Sequence, residues 1–421
     1  MDVAVIGGGG REHALLRVLH ESPSTDDCWV WPGNDGMLDI AQKLDAEDQE
    51  DCIETMKSRG VDLCVVGPES YLEDEFADEC SEAGIDCWGP NAEAAQLETS
   101  KLFAKRFMNR HEIPTGGFTL TEAPDEIRDA VDEYPVALKF NGLAGGKGVT
   151  VCFDEDDVED YIDEVYNQKR FGEPDPVLVE EFLEGVEVTV ICAVNNGDYQ
   201  VYPASRDYKP LNNGDSGPNT GGMGAVSSVG MLKPDMIERI ENEIIQPTMD
   251  GLGDDGLDYQ GFLYFGLMIT DEGPKILEYN CRFGDPEAQA TLPLLEGDFS
   301  GYLKDAINGP LDTSRIQFRD DWSVCVMIAS ENYPYDYSHG QEITGLDDVE
   351  SARVYYSGIR SGDKGLEVDG GRILGVVGLD NARDRAREKA YKGIEKIHFD
   401  GMHYRDDIAS LHFEDSTVFT H

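Results

Sequence analysis

The stretch that most constrains this chain is Pro135-Val-Ala-Leu-Lys-Phe-Asn-Gly-Leu-Ala-Gly-Gly-Lys-Gly-Val-Thr150, which reads as strand, glycine loop, strand. Val136, Leu138 and Phe140 alternate with Ala137 and Lys139, so the Lys139 side chain leaves on the face opposite the apolar ones. Gly142, Gly145, Gly146 and Gly148 free the backbone to fold closely over a bound group, and Lys147 sits inside that loop. Backbone N–H groups and two ammonium groups converging on one place suit a polyanion such as a chain of phosphates. A tight hairpin with two solvated lysines is the alternative this stretch alone leaves open.

Charge narrows the partners. Acidic residues number 85 and basic ones 34, giving a net charge of −51. Such an excess opposes unassisted binding to nucleic acid or to an anionic membrane, both of them polyanions. It also implies self-repulsion, which salt relieves: the Debye length falls from about 8 Å at 0.15 M to about 3 Å at 1 M. We therefore expect a carboxylate-covered protein adapted to a salt-rich cytoplasm, melting higher in molar KCl than in dilute buffer. The chain is 40% hydrophobic with clear strand patterns, which argues against disorder. None of the nine cysteines forms a close C-x-x-C pair, so buried thiols in a reducing cytoplasm are expected rather than a structural zinc site. Met1 to Ile6 already reads as a strand, without a basic or long apolar leader, and no stretch approaches the ~18 apolar residues of a membrane span. Small-molecule substrates and a monomer or weak dimer are the expected partners and state.

Val3 to Ile6 runs into Gly7-Gly-Gly-Gly-Arg-Glu-His-Ala-Leu-Leu16, a glycine turn feeding a helix, which is an arrangement that binds anions. A dinucleotide fingerprint fails in both frames, because Glu12 or His13 falls where glycine or alanine is needed. The next strand, Cys28 to Trp31, ends in Pro32-Gly-Asn34 without an acidic residue to grip a ribose. A single phosphate on a small substrate fits better than a pyrophosphate, and a purely structural turn is the alternative. A helix near Glu47 to Arg59, a strand Leu63 to Val66, a helix Tyr71 to Ala83 and a strand Ile85 to Trp88 continue the alternation. That pattern predicts a doubly wound parallel sheet, with ligands at strand ends such as Gly7–Gly10, Pro32–Asn34 and Gly67–Glu69.

Ser100 or Thr99 caps a helix through His111, and Lys101 in its first turn is electrostatically unfavoured unless it faces an anion. An acidic helix is expected over Glu155 to Tyr166. Glu180 and Glu181 close an apolar strand, where backbone and carboxylate can meet a heteroaromatic amine; a solvated acidic turn is the alternative. Ser205 to Ala225 lacks regular pattern yet keeps Arg206, Lys209, Asn219 and Thr220, which favours a substrate loop. In Lys275-Ile-Leu-Glu-Tyr-Asn-Cys-Arg-Phe-Gly-Asp-Pro-Glu287, Glu278 and Asn280 leave one face of a strand as two oxygen ligands suited to magnesium. Arg282 shares that face if the strand persists and can balance phosphoryl charge; Asp285 and Glu287 follow in the turn. Trp322 to Ala329, Ala352 to Tyr356 and Arg372 to Leu379 read as strands, Gly370-Gly371 as a hairpin turn and Asn381 to Ile397 as a helix, with no catalytic cluster among them.

These segments in this order resemble the phosphoribosylamine–glycine ligase (glycinamide ribonucleotide synthetase) family of the ATP-grasp superfamily over nearly the whole chain. The most specific pieces are Ile6-Gly-Gly-Gly-Gly-Arg-Glu-His-Ala-Leu15, Val66-Gly-Pro-Glu69, Gly217-Pro-Asn-Thr-Gly-Gly-Met-Gly-Ala225 and Glu278-Tyr-Asn-Cys-Arg-Phe-Gly-Asp-Pro-Glu287. The resemblance implies an α/β and α+β multidomain protein. Its parts would be an N-terminal doubly wound domain (1–99), an ATP-grasp domain (100–312) with a lid near 115–190, and a small C-terminal α+β domain (313–421). It implies ATP, glycine and 5-phosphoribosylamine as substrates, Mg2+ or Mn2+ as the ion, and a place in purine biosynthesis. Lys101 and Lys139 would approach the ATP phosphates under a lid of Gly145, Gly146, Lys147 and Gly148. Glu180, Glu181 and Phe182 would meet adenine, Glu187 the ribose, and Glu278 and Asn280 the metal.

Substrate is expected on Gly8, Gly9, Gly10, Arg11, Glu12, Asn34, Pro68 and Glu69, and on Asp207, Lys209, Asn219, Thr220, Gly221 and Gly222. Arg282, Asp285 and Glu287 complete that set, and Lys139, Arg282 and Asp285 would act on the reacting groups. Two departures stand out: Asn141 replaces the usual Asp, and Arg206-Asp-Tyr-Lys-Pro210 replaces a Gln-Asp-His-Lys-Arg run, which puts the roles of Arg206 and Tyr208 in doubt. Gly266 stands where related enzymes carry a third carboxylate ligand. The chemistry follows from the reactants. A carboxylate repels an amine, whereas an acyl phosphate made from ATP carries a good leaving group and must be kept from water. Another ATP-grasp ligase or carboxylase, and a nucleotide-binding protein without activity, are the rival readings.

Overall fold

The computed structural model describes residues 1–142, 148–173, 176–410 and 418–420. Five parallel strands open the chain, in the spatial order Gln42–Lys43, Cys28–Pro32, Val3–Gly7, Leu63–Val66, Asp86–Trp88. Successive residues of the central strand enter two different cores. Ala4 and Ile6 pack with Cys52 and Met56, while Val3 and Val5 pack with Ala14 and Leu15. Both faces are therefore covered by helices, which is why the strand is apolar throughout instead of alternating. Each fully buried side chain of that size contributes ~1.5–3 kcal/mol relative to exposure.

The helix expected over Tyr71 to Ala83 is two helices, Glu69–Glu73 and Phe76–Ala83, broken where Glu75 takes φ 62°. Leu72, Phe76, Ala77 and Cys80 are all buried, so the apolar period runs through the break and hides it from the sequence. All nine cysteines are buried free thiols. Register pairs Cys64 with Cys87, and Cys80 joins them so that the three sulfur atoms lie within 4.8 Å of one another. Sequence spacing gave no sign of that trio. No helix among the described residues is long and apolar enough to cross a membrane.

A four-stranded antiparallel sheet follows, ordered Phe118–Thr121, Val177–Glu181, Val136–Phe140, Val149–Cys152. Val136, Leu138 and Phe140 pack against Val158, Tyr161 and Ile162 from the helix Glu155–Ile162 and its C-cap side. That leaves Ala137 and Lys139 for the other face, as alternation requires. Residues 143–147, which include Gly145, Gly146 and Lys147, lie outside the described residues.

The large antiparallel sheet is ordered Gly273–Asn280, Gln260–Thr270, Val186–Asn195, Ser205–Asp207, Gly224–Ser228, Trp322–Ala329, Arg372–Asp380, Arg353–Tyr356. Its last three strands come from the C-terminal region, so one sheet runs from the central region into it. Two expectations change here. The unpatterned stretch 205–225 contains the strands Ser205–Asp207, Pro210–Asn212 and Ser216–Asn219 and the start of Gly224–Ser228. Their ladders are set by partners and tight turns rather than by hydrophobic period. Gly370-Gly371 is not a hairpin: Leu366–Gly370 pairs with Ser338–Glu342 and Ile359–Ser361 in a small separate sheet, and Arg372–Asp380 belongs to the large one. At Gly371 the chain leaves one sheet for the other, and a Cβ there would stand 2.5 Å from the Tyr333 ring.

Candidate active site

A cleft of about 590 Å³ opens between the four-stranded sheet and the Gly273–Asn280 edge of the large sheet. Its first wall carries lysines. Lys139, from the strand face left free by packing, places Nζ 2.7 Å from Glu180 Oε2 and donates to the Leu277 carbonyl at 3.3 Å. Lys101 Nζ, in the first turn of the helix Lys101–Arg110, donates to the Gly142 carbonyl at 3.1 Å, and Ser100 caps that helix by accepting from Phe103 N–H. Glu180 is buried; its neighbour Glu181 turns outward and accepts from Gly117 N–H at 3.0 Å. Phe182 and Gly148 complete this side, and Glu187, from the Val186–Asn195 strand of the large sheet, lines the cleft beside them.

The second wall carries carboxylates. Glu278 and Asn280 both line the cleft, as their spacing of two in one strand requires. Burial pushes the Glu278 carboxyl up, but Lys209, Lys139, Lys101 and Arg282 together hold it below the usual range. Gly266 lies directly opposite Glu278 in the ladder, and a Cβ there would stand 3.1 Å from Glu278 Cγ and 3.3 Å from the Tyr264 ring. Asp207 and Lys209 face the cleft, with Lys209 paired to Glu187 and 3.9 Å from Asp207. Burial pushes Asp207 up to about 8, against the pull of Lys209. Glu287 is also raised by burial and accepts from Tyr264 Oη at 3.0 Å. Oxygen donors on Glu278 and Asn280, with further buried carboxylates nearby, are a donor set that fits a hard divalent ion such as magnesium.

Alternation settles the departure at 206–210. Asp207 and Lys209 point into the cleft. Tyr208 points the other way, buried, its hydroxyl accepting from Ala409 N–H at 3.2 Å, with the Arg206 guanidinium 5.7 Å from its ring. Thr220 accepts from Gly222 N–H and donates to the Lys209 carbonyl, which fixes the Asn219–Gly222 turn against the cleft.

Arg282 lies just beyond the strand end and is clamped by Glu98 at 2.6 Å and Glu69 at 3.1 Å. The two carboxyls respond oppositely. Arg282 pulls the Glu69 carboxyl down to about 2, whereas burial raises Glu98 to about 7 against the same guanidinium. Arg282 also donates to Asn280 Oδ1 at 3.3 Å, tying this clamp to the carboxylate strand. The N-terminal glycine turn lies beside the clamp. Glu12 folds back into it, 2% exposed, accepting from Gly9 N–H at 2.6 Å and pairing with Arg11 at 2.5 Å. Gly7, at φ +119°, leaves the room that the Glu12 side chain fills.

A second cavity of about 600 Å³ meets the first at Gly221, Asp285 and Arg372, and its far wall is formed by Gly8, Gly9 and Asn34. Asn34 donates to the Gly8 carbonyl at 2.8 Å and to the Tyr356 carbonyl at 3.1 Å. Arg372 donates to the carbonyls of Gly221 at 2.5 Å and Asp285 at 2.7 Å. Burial raises the Asp285 carboxyl, but Arg372 and Arg11 outweigh it and hold it low. The expected site residues thus fall into two adjoining spaces, with Gly10, Glu12, Pro68 and Gly222 in neither lining. Sequence reasoning did not single out Lys105, Glu98, Tyr264 or Arg372. Lys105 carried a signal, since it lies one helical turn after Lys101 in an acid-rich chain; Arg372 carried none.

Comparison with known proteins agrees with this geometry. Family models of phosphoribosylglycinamide synthetase match in three parts: the N domain over residues 1–98, the ATP-grasp (A) domain over 99–288 and the C domain over 323–411. The phosphoribosylamine–glycine ligase of Caldanaerobacter subterraneus subsp. tengcongensis is 40% identical over 415 residues, covering 97% of this chain and 100% of that protein. The trifunctional purine biosynthetic protein adenosine-3 of Homo sapiens is 37% identical over 418 residues, 96% of this chain but 41% of that protein. The crystal structure of phosphoribosylamine–glycine ligase from Thermotoga maritima superposes with a TM-score of 0.85 at 34% identity, covering 97% of this chain and 100% of that one. A biotin carboxylase from Campylobacter jejuni shares the fold, with a TM-score of 0.71 at 16% identity, covering 99% of this chain and 95% of that one. Lys101, Lys139, Glu278 and Asn280, from both walls of the cleft, all lie within the matched ATP-grasp (A) domain, and the chain belongs to the phosphoribosylglycinamide synthetase family.

Proposed function

We propose that this chain joins the carboxylate of glycine to the amine of 5-phosphoribosylamine at the expense of ATP, releasing glycinamide ribonucleotide, ADP and phosphate. The observation that carries the reading is the pairing of walls. Lys139 and Lys101 face Glu278 across one cleft and, second to Lys209 and together with Arg282, hold its carboxyl below the usual range despite burial. A triphosphate tail suits the lysine side, and Glu278 with Asn280 would hold Mg2+ or Mn2+, which supplies charge neutralisation for phosphoryl transfer. A glycine oxygen attacks the γ-phosphorus and ADP leaves; the amine then attacks the acyl carbon and phosphate leaves. Lys139 and Arg282 serve as positioned cations for the charge that spreads during the first step. Adenine rests by Glu180, Glu181 and Phe182, with its ribose near Glu187. The second cavity, reached past Asp285 and lined by Gly8, Gly9 and Asn34, takes the phosphoribosyl end. No side-chain nucleophile is needed, and a cytoplasmic setting with all three substrates follows.

The test is mass-spectrometric detection of glycinamide ribonucleotide from the purified chain, ATP and glycine, with the labile phosphoribosylamine generated in place. ADP release that depends on bicarbonate instead of glycine would transfer the assignment to a carboxylase.

A further inference from the structure

Lys105 belongs to neither the lysines that sequence pointed to nor the surface. It lies on the helix Lys101–Arg110 with its side chain 3% exposed, and its ammonium donates to Glu180 Oε1 and to Thr115 Oγ1 at 2.6 Å. Thr115 in turn donates to the Ile276 carbonyl at 2.7 Å, on the strand that carries Glu278. Glu180 therefore has two ammonium partners, and they are held differently. The Lys105 contact is a hydrogen bond with a second anchor at Thr115. The Lys139 contact, at 2.7 Å, lacks hydrogen-bond geometry: Glu180 Oε2 is buried with no hydrogen-bond partner. Lys139's own hydrogen bond, to the Leu277 carbonyl, is long at 3.3 Å.

We propose that Lys105 is a positioning residue for nucleotide binding: it keeps the buried Glu180 carboxylate neutralised, so that Lys139 can leave it for the phosphates. The physical reason is charge balance. With Lys105 in place, withdrawal of Lys139 leaves a neutral, hydrogen-bonded pair. Without it, the same withdrawal strands a carboxylate that is 1% exposed, and removal of one partner from a buried pair is costly. Burial disfavours the Lys105 charge and lowers its pKa to about 8, while Glu180 opposes that shift; the cation persists because its partner is fixed beside it.

The inference rests on the nucleotide-dependent reading above, so the experiment separates the two. Binding of a non-hydrolysable ATP analogue is measured by calorimetry on the full chain, beside steady-state KM values for ATP and glycine. Lys105→Met is expected to weaken analogue binding by about tenfold or more and raise the KM for ATP in step, with the KM for glycine within about twofold. Lys105→Arg, which keeps the charge, is expected to stay within about threefold of the parent. In a Glu180→Gln background, adding Lys105→Met should cost nothing further, because no buried carboxylate remains to be neutralised. That pair also serves if Lys105→Met alone fails to fold. Unchanged affinity in Lys105→Met, or a further loss on adding it to Glu180→Gln, overturns the proposal. Failure of the parent chain to bind the analogue strikes the nucleotide reading instead.

Discussion

The N-terminal glycine turn and the lysine wall of the cleft both read in sequence as anion sites, yet they are built in opposite ways. The turn is satisfied from within. Gly9 N–H goes to Glu12, and Arg11, through its guanidinium and its backbone N–H, adds to Arg372 in holding the nearby Asp285 carboxyl low. On the lysine wall two ammonium groups, Lys105 and Lys139, share the carboxylate of Glu180. A helix start after glycines binds whichever carboxylate is nearest, and in this chain two are supplied internally. Ammonium groups that share a carboxylate at the edge of an open cleft are the better sign of a place for phosphates.

Four measurements would sharpen or break that contrast. The largest effect is expected at the clamp between the two regions. Arg282→Met leaves Glu98, 5% exposed, without its guanidinium, and should cost about 3 kcal/mol or more of stability in urea melts. Lys139→Ala should lower kcat by about a hundredfold or more while the melting midpoint moves little, since an oriented cation is lost and an apolar face is kept. Near-normal turnover would remove the cleft from the chemistry.

The N-terminal region and the clamp should also titrate with opposite sign. In the N-terminal part, burial lowers His13 from 6.5 to about 3, so the unfolded chain binds the extra proton and stability is lost as pH falls from 6.5 towards 3. At the clamp, Glu98 is raised from 4.5 to about 7, so the folded chain holds the extra proton and stability falls as pH rises from 4.5 to 7. Each amounts to roughly a few kcal/mol at most. Comparing pH–stability curves of the parent with those of His13→Asn and Glu98→Gln checks both slopes. If the two substitutions flatten the same limb, the assignment of opposite signs fails. The smallest effect is expected for Glu12→Gln, which weakens a charge-assisted bond to Gly9 N–H and the pair with Arg11, for about 1 kcal/mol.

Much of this was legible before the fold was known. Alternation placed Lys139 away from Val136, Leu138 and Phe140, and put Glu278 and Asn280 on one side of a strand. The strand–turn–helix order predicted the parallel sheet. The break at Glu75 was not legible, because the apolar period continues across it. Nor was the change of sheet at Gly371, where a pair of glycines mimics a hairpin. Arg206 and Tyr208 became intelligible only when register showed that Asp207 and Lys209 alone face the cleft.

What the sequence determined by itself is direction: which side of a strand a group leaves, and which turn of a helix it occupies. Those follow from backbone geometry over two to four neighbouring residues. Only the tertiary structure decided partnership. Lys105 and Glu180 are 75 residues apart, Asp285 and Arg372 are 87 apart, and Glu69 and Arg282 are 213 apart. No local pattern encodes such pairs, because each exists only once separate sheets have packed and brought their buried charges within reach.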